Sequence, residues 1–229
     1  MSVILHIESA TEGCSVAISQ DGELIFDKAD STINNNAVTL GLFVDEALAL
    51  VDSRGILLDA VAVSEGPGSY TGLRIAVSMA KGICYGREIK LIAVPTLKLL
   101  CVSPLLYMDL PDDALLCPMI DARRMEVYSA VYDRALTEVR STGADIVDAE
   151  TYKEYLNRGP VYFLGNGAAK CKDTILHENA HFIDDVRPLA KWMFPLAEQM
   201  FNRGEFCDVA YFEPYYLKDF VAIKPKKLI

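Results

Sequence analysis

The chain opens on an apolar run, Val3-Ile4-Leu5-His6-Ile7, that predicts a strand. A polar turn, Glu8-Ser9-Ala10-Thr11-Glu12-Gly13, separates it from a second strand over Cys14–Ser19. Asp21-Gly22 marks a tight turn into a third, Glu23–Phe26, and the three predict a meander. Val38–Val51 has helical periodicity, and Ala60–Ser64 is a short apolar run of the kind found in buried strands. A glycine-rich segment, Gly66-Pro67-Gly68-Ser69-Tyr70-Thr71-Gly72, then leads into a helix over about Leu73–Tyr85. Lys90–Val94 predicts a further strand, ended by Pro95. Helix–strand–helix alternation behind a meander predicts an α/β fold packed around a mixed sheet.

Near Leu115 the pattern restarts. Leu115–Asp121 and Glu126–Tyr132 again place an apolar strand, an acid, a turn and a second strand in that order, with Asp121 in the position of Glu8. Val161–Gly165 predicts a later strand and Leu189–Phe201 a later helix. Two similar α/β halves are expected, residues 1–102 and 103–229, with a boundary around Val102–Asp113, where Pro104, Pro111, Asp109, Asp112 and Asp113 collect. The internal repeat is weak at the level of residues, and coincidence is the alternative.

Two helices carry more apolar surface than one core needs. At 100° per residue, Leu73, Ala76, Val77, Ala80 and Cys84 share one face, while Ile75, Met79, Gly82 and Gly86 share the opposite one. In Val38–Val51, Leu40, Phe43, Val44, Ala47, Leu48 and Val51 form a broad core face, with Val38, Leu42, Asp45 and Ala49 across from it. Such faces suit a helix–helix contact with another chain, or a sandwich within this chain's own fold.

Hydrophobic residues make up 52% of the chain, enough for a sizeable core. No apolar run reaches the ~18 residues of a membrane span, and the N-terminus lacks the basic start and small-residue site of a signal peptide. The cysteines, Cys14, Cys84, Cys101, Cys117, Cys171 and Cys207, form no C-x-x-C pair, so buried free thiols in a reducing cytoplasm are expected. The net charge of −10 argues against a chain that grips a phosphate backbone by itself. Its exception is a basic end with Lys218, Lys224, Lys226 and Lys227, which equally describes a solvated terminus.

Candidate chemistry is sparse. The Gly66–Gly72 segment lacks the Gly-Lys-Ser/Thr ending of a P-loop and the spacing of a dinucleotide fingerprint, so a structural turn is the better reading. His177-Glu178-Asn179-Ala180-His181 matches H-E-x-x-H, which in zinc hydrolases needs a continuous helix and a third ligand. The residues after it suggest a turn and a short strand instead, and the other histidine, His6, lies in the first strand. Glu8 and Asp121 at strand ends, with the Gly165-Asn166-Gly167 turn, could hold Mg²⁺ and a nucleotide in an ATP-binding fold, or be plain strand ends.

Four segments together resemble one family: Leu5-His6-Ile7-Glu8-Ser9-Ala10-Thr11-Glu12, Glu65-Gly66-Pro67-Gly68-Ser69-Tyr70-Thr71-Gly72-Leu73-Arg74, Ile120-Asp121-Ala122-Arg123-Arg124-Met125-Glu126-Val127-Tyr128, and Glu213-Pro214-Tyr215-Tyr216-Leu217-Lys218. They look like the TsaB (YeaZ) family of bacterial tRNA threonylcarbamoyladenosine biosynthesis proteins, and the match runs from end to end. The resemblance implies an actin-like ATPase fold of two RNase H-like halves, each a mixed sheet flanked by helices. It implies a scaffold without catalytic residues, metal or cofactor of its own, which binds the catalytic paralogue TsaD through N-terminal helices and helps recruit the ATPase TsaE. Tied to that surface would be Val38, Leu42, Asp45, Ala49, Ile75, Met79 and Gly82. Self-association through the same face would compete, and tRNA would be reached only indirectly.

The paralogue holds its metal with two histidines four residues apart near its first helix. Here that region reads Asn34-Asn35-Asn36-Ala37-Val38-Thr39-Leu40, without histidine. The family's first acid is commonly Asp, so Glu8 departs from the pattern; Glu8, Asp121, Gly165 and Gly167 are then remnants of a nucleotide site. The competing expectation is an autonomous enzyme, either an actin-fold phosphotransferase or a zinc hydrolase using His177, Glu178 and His181.

Overall fold

The computed structural model describes residues 2–31 and 36–218. Chain order begins with β1 (Val3–Glu8), β2 (Cys14–Gln20) and β3 (Glu23–Asp30), the antiparallel meander. Helix α1 (Asn36–Ser53) crosses to β4 (Ala60–Gly66), and α2 (Tyr70–Arg87) crosses to β5 (Lys90–Pro95), both strands running parallel within the sheet. Helix α3 (Thr96–Tyr107) leads to β6 (Leu115–Asp121), β7 (Glu126–Tyr132) and β8 (Glu138–Ile146). After the short α4 (Lys153–Leu156) come β9 (Val161–Leu164), β10 (Ala180–Ile183) and α5 (Phe194–Arg203).

The first sheet has the order β3-β2-β1-β4-β5, and the second, taken from its β8 edge, β8-β7-β6-β9-β10. The two orders correspond strand for strand, with antiparallel and parallel pairs in the same places. The repeat is therefore one of topology, and Glu8 and Asp121 end equivalent strands.

Alternation along β1 sends Val3, Leu5 and Ile7 toward α1 and α2, where they pack with Leu40, Val44, Ala47, Val51, Ala76, Val77 and Ala80. Ile4 faces the other way, into a cluster with Ile92, Val94, Leu99, Val102, Met193 and Leu196. A sheet covered on both faces explains why β1, β4 and β5 are almost continuously apolar. Helix α3 lies between the sheets: Leu99 and Val102 join the first, while Leu97, Leu100 and Cys101 pack with Leu116, Ile120 and Leu164 of the second. It is apolar all round for that reason. The Val102–Asp113 stretch is thus helical as far as Tyr107, with Pro104 inside α3.

Other expectations shift in detail. The turn after β9 opens a single 3₁₀ turn, Ala169–Cys171, and the late helix divides into a 3₁₀ turn at Ala190–Trp192 and α5. Helix α5 packs back on the first sheet. His6 is fully buried, with Nε2 2.8 Å from Ser19 Oγ, and burial lowers its pKa to about 3, so it is a neutral core histidine. Among the described residues no helix is long and apolar enough to cross a membrane.

Candidate functional site

The β1–β2 turn folds back over the start of α2, and glycines permit the approach. A Cβ on Gly68 would collide with the Ala10 carbonyl oxygen, and one on Gly72 with that of Ser9. Gly66 has φ +114°, and a Cβ there would stand 2.6 Å from the Tyr215 carbonyl oxygen. In the space so freed, Ser69 N–H donates to the Ala10 carbonyl (2.7 Å), Ser9 Oγ donates to the Gly72 carbonyl (2.8 Å), and Ser69 Oγ accepts from Gly72 N–H (3.3 Å) to cap α2. The glycine-rich segment closes backbone against backbone, as a structural turn does.

The segments that carry the family resemblance converge on one cleft of about 900 Å³. Its walls are residues 10–12, residues 67–72 with Ile75, residues 120–123 with Tyr128, Asn166, and residues 215–218. This last segment belongs to a strap that returns from α5. Cys207 N–H donates to Leu91 O (2.9 Å) at the β5 edge, and Lys81 Nζ donates to the carbonyls of Ala210 (3.1 Å) and Phe212 (2.9 Å). Tyr215 N–H then donates to Glu65 O (2.7 Å), the Tyr216 ring lies 4.9 Å from that of Tyr70, and Lys218 pairs with Glu126 of β7.

The two strand-end acids do not face one another as cation ligands. Glu8 is buried: Oε1 accepts from Ala10 N–H (2.6 Å) and Oε2 from the Ser64 hydroxyl. Burial pushes its pKa up to about 8, so the carboxyl keeps its proton at neutral pH. Asp121 is exposed, but Lys170 pairs with it, and Oδ1 also accepts from Arg123 N–H (3.0 Å). Asn166 Oδ1 accepts from Asp121 N–H (3.0 Å), and Gly167 N–H donates to Met119 O (2.9 Å). A Cβ on Gly165 would stand 2.5 Å from Met119 O, and one on Gly167 2.9 Å from the Ile120 carbonyl carbon. These glycines seat the turn on β6. With the Glu8 oxygens enclosed by Ala10 N–H and the Ser64 hydroxyl and Asp121 held by Lys170 and Arg123 N–H, the two acids are a poor donor set for Mg²⁺, and a Mg-nucleotide does not fit these residues as they stand.

A second feature lies on the outside of the first sheet. Helices α1 and α2 bury Leu40, Val44, Ala47, Ala76, Val77 and Ala80 beneath them and leave their outer faces apolar. Val38 is 63% exposed and Leu42 60%, Asp45, Ala49 and Gly82 are exposed, and Ile75 and Met79 are half-buried. The seven residues that the resemblance tied to a partner surface thus all keep some exposure on the two helices.

The H-E-x-x-H segment is not helical: His177–Asn179 form a turn and His181 lies on β10, stacked 4.9 Å from Tyr162. Two histidines one helical turn apart need a helix to share a ligand, so the zinc-hydrolase arrangement is not formed. Among the described residues no group of three His, Cys, Asp or Glu could hold a metal ion. Asn34, Asn35, Lys224, Lys226 and Lys227 lie outside the described residues.

A profile of the family described as "TsaD: tRNA N6-adenosine threonylcarbamoyltransferase" matches residues 31–223. The tRNA threonylcarbamoyladenosine biosynthesis protein TsaB of Escherichia coli K12 is 30% identical, over 96% of this chain and 96% of its own length. This chain belongs to the TsaB family. A TsaB of Bacillus subtilis 168 is 29% identical over 80% of this chain and 76% of its own. A solved structure of YeaZ from Pseudomonas aeruginosa has the same fold, at a TM-score of 0.80 and 24% identity, covering 95% of this chain and 100% of that one.

Two residues that set the state of the strand-end acids carry no signal in the residue pattern: Ser64 beneath Glu8 and Lys170 on Asp121. Each meets its partner across the fold. The basic residue Lys218 was visible, but as part of a terminus rather than as the partner of Glu126.

Proposed function

We propose that this chain is a non-catalytic subunit of tRNA threonylcarbamoyladenosine biosynthesis, which binds and activates a TsaD-type transferase in the cytoplasm. That transferase would place the threonylcarbamoyl group on the adenosine next to the anticodon of ANN-decoding tRNAs, and the bound pair would help recruit a TsaE-type ATPase. The observation that carries the reading is the apolar outer face of α1 and α2, with Val38 and Leu42 more than half exposed. Large apolar side chains clustered on a surface mark an interaction site. The small residues Ala49 and Gly82 would let a partner helix approach closely. A second copy of this chain would compete for the same face.

The cleft chemistry supports a supporting role. Glu8 is neutral and enclosed, and Asp121 is paired with Lys170, so no free pair of carboxylates stands ready to organise a metal-bound phosphate. The net charge of −10 leaves most of the affinity for tRNA with the partner. The test is threonylcarbamoyl transfer to tRNA by the transferase of the same organism, with and without this chain. Transfer that rises with this chain until the two are equimolar is expected. Transfer at full rate without it would remove the proposal.

A further inference from the structure

The mouth of the cleft brings arginines and tyrosines together on an otherwise acidic chain. Arg123 and Arg124 form the tip of the β6–β7 hairpin, both exposed, and neither makes an ion pair among the described residues. Both hold left-handed backbone, φ +73° and +52°. Glycine or asparagine adopts that conformation at less strain, and here two arginines occupy it. The carboxylates that flank the tip in the hairpin are each paired, Asp121 with Lys170 and Glu126 with Lys218, and Glu12 is the further acid in the cleft wall. Within the hairpin, the exposed unpaired charge is that of the two guanidiniums.

Across the mouth stand aromatic rings. Tyr216 is 37% exposed and packs 4.9 Å from Tyr70 at an interplanar angle of 39°. The Arg74 guanidinium lies 5.2 Å from the Tyr70 centroid, and its Nη1 donates to Tyr70 Oη (3.0 Å). Arg123, Tyr70 and Tyr216 line the same cleft. Guanidiniums that grip phosphates beside aromatic faces that stack on bases are the means by which proteins hold single-stranded nucleic acid.

We propose that this mouth contacts an unpaired stretch of the tRNA while the partner holds the rest, Arg123 and Arg124 taking phosphates and Tyr216 a base. This rests on the functional reading above and adds a direct RNA contact to it. Because the contact is stacking and charge, it is tolerant of sequence.

The experiment titrates a fluorescently labelled anticodon stem–loop RNA into the complex of the full chain with the transferase, over a range of KCl. The variants are Arg123→Gln/Arg124→Gln, Tyr216→Ala and Tyr216→Phe. Loss of two phosphate contacts should weaken binding about tenfold at low salt and flatten the slope of log K against log salt by about 1.4, at about 0.7 per phosphate for a single strand. Tyr216→Ala should weaken binding about fivefold or more at an unchanged slope, with Tyr216→Phe restoring it. An intact complex whose affinity and slope are the same with Arg123→Gln/Arg124→Gln would overturn the proposal. Failure of the wild-type chain to join the transferase would instead count against the scaffold reading. The titration would then be repeated on the chain alone, where binding that the arginine variant loses supports the contact and no binding at all refutes it.

Discussion

Replacing Glu8 by Gln isolates the effect of a carboxyl enclosed at the end of β1. The amide keeps the oxygen that accepts from Ala10 N–H, and its NH₂ can donate to Ser64 once that hydroxyl turns. Shape and hydrogen bonding are retained, and only the titration is lost. In the wild type, burial raises the pKa from an ordinary 4.5 to about 8. Between those values the native state keeps a proton that the unfolded chain has released, so native protein binds more protons and stability falls as pH rises. Each pH unit is worth about 1.4 kcal/mol, and the full span comes to on the order of 4–5 kcal/mol. Glu8→Gln should therefore match the wild type near pH 4.5 and exceed it progressively up to about pH 8. Urea unfolding of both proteins at pH 5, 6, 7 and 8 measures this. His6 and Glu65 also titrate abnormally, but they are common to both chains and cancel in the difference. A difference in stability that stays constant from pH 5 to pH 8 would refute the neutral, buried state of Glu8.

Further outcomes follow from the same geometry. Leu42→Asp and Met79→Asp should each abolish association with the transferase in size-exclusion chromatography, while exposed Leu42 leaves chain stability within about 0.5 kcal/mol in thermal melts. Gly72→Ala should destabilise by about 2 kcal/mol or more in urea unfolding, because its Cβ would strike the Ser9 carbonyl. Gly82→Ala meets nothing within 4 Å and should stabilise the isolated chain by about 0.5–1 kcal/mol while weakening the complex, read by melting and by calorimetry respectively. Lys81→Ala frees the carbonyls of Ala210 and Phe212 and should speed amide exchange across residues 207–216 without changing exchange in β1.

How much was legible in the residues follows from where each element sits. Strands β1, β4 and β5 are buried on both faces, so their apolar runs stand out against the turns that bound them. Strand β8, Glu138–Ile146, is a sheet edge rich in polar residues and escapes a search for hydrophobic alternation. Helix α3 escapes for the opposite reason, since a helix packed between two sheets has no polar face to give it a period. The buried face of α2 was legible, because Leu73, Ala76, Val77, Ala80 and Cys84 recur at helical spacing and all are buried. At the cleft, the glycines announced a turn, but not that Ser9 and Ala10 press against them. The states of Glu8 and Asp121 were hidden, because Ser64 lies 56 residues from the first and Lys170 49 from the second. Local pattern records spacing along the chain, and these acids are set by contacts across it.

Binding to the transferase is read by size-exclusion chromatography with light scattering, on this chain alone and then mixed with the TsaD-type transferase of the same organism. A scaffold gives a new peak at the mass of one chain plus one transferase, growing at the expense of the single-chain peak, and lost with Leu42→Asp. Separate elution of the two proteins at all concentrations, or a complex that Leu42→Asp and Met79→Asp both leave intact, would contradict it.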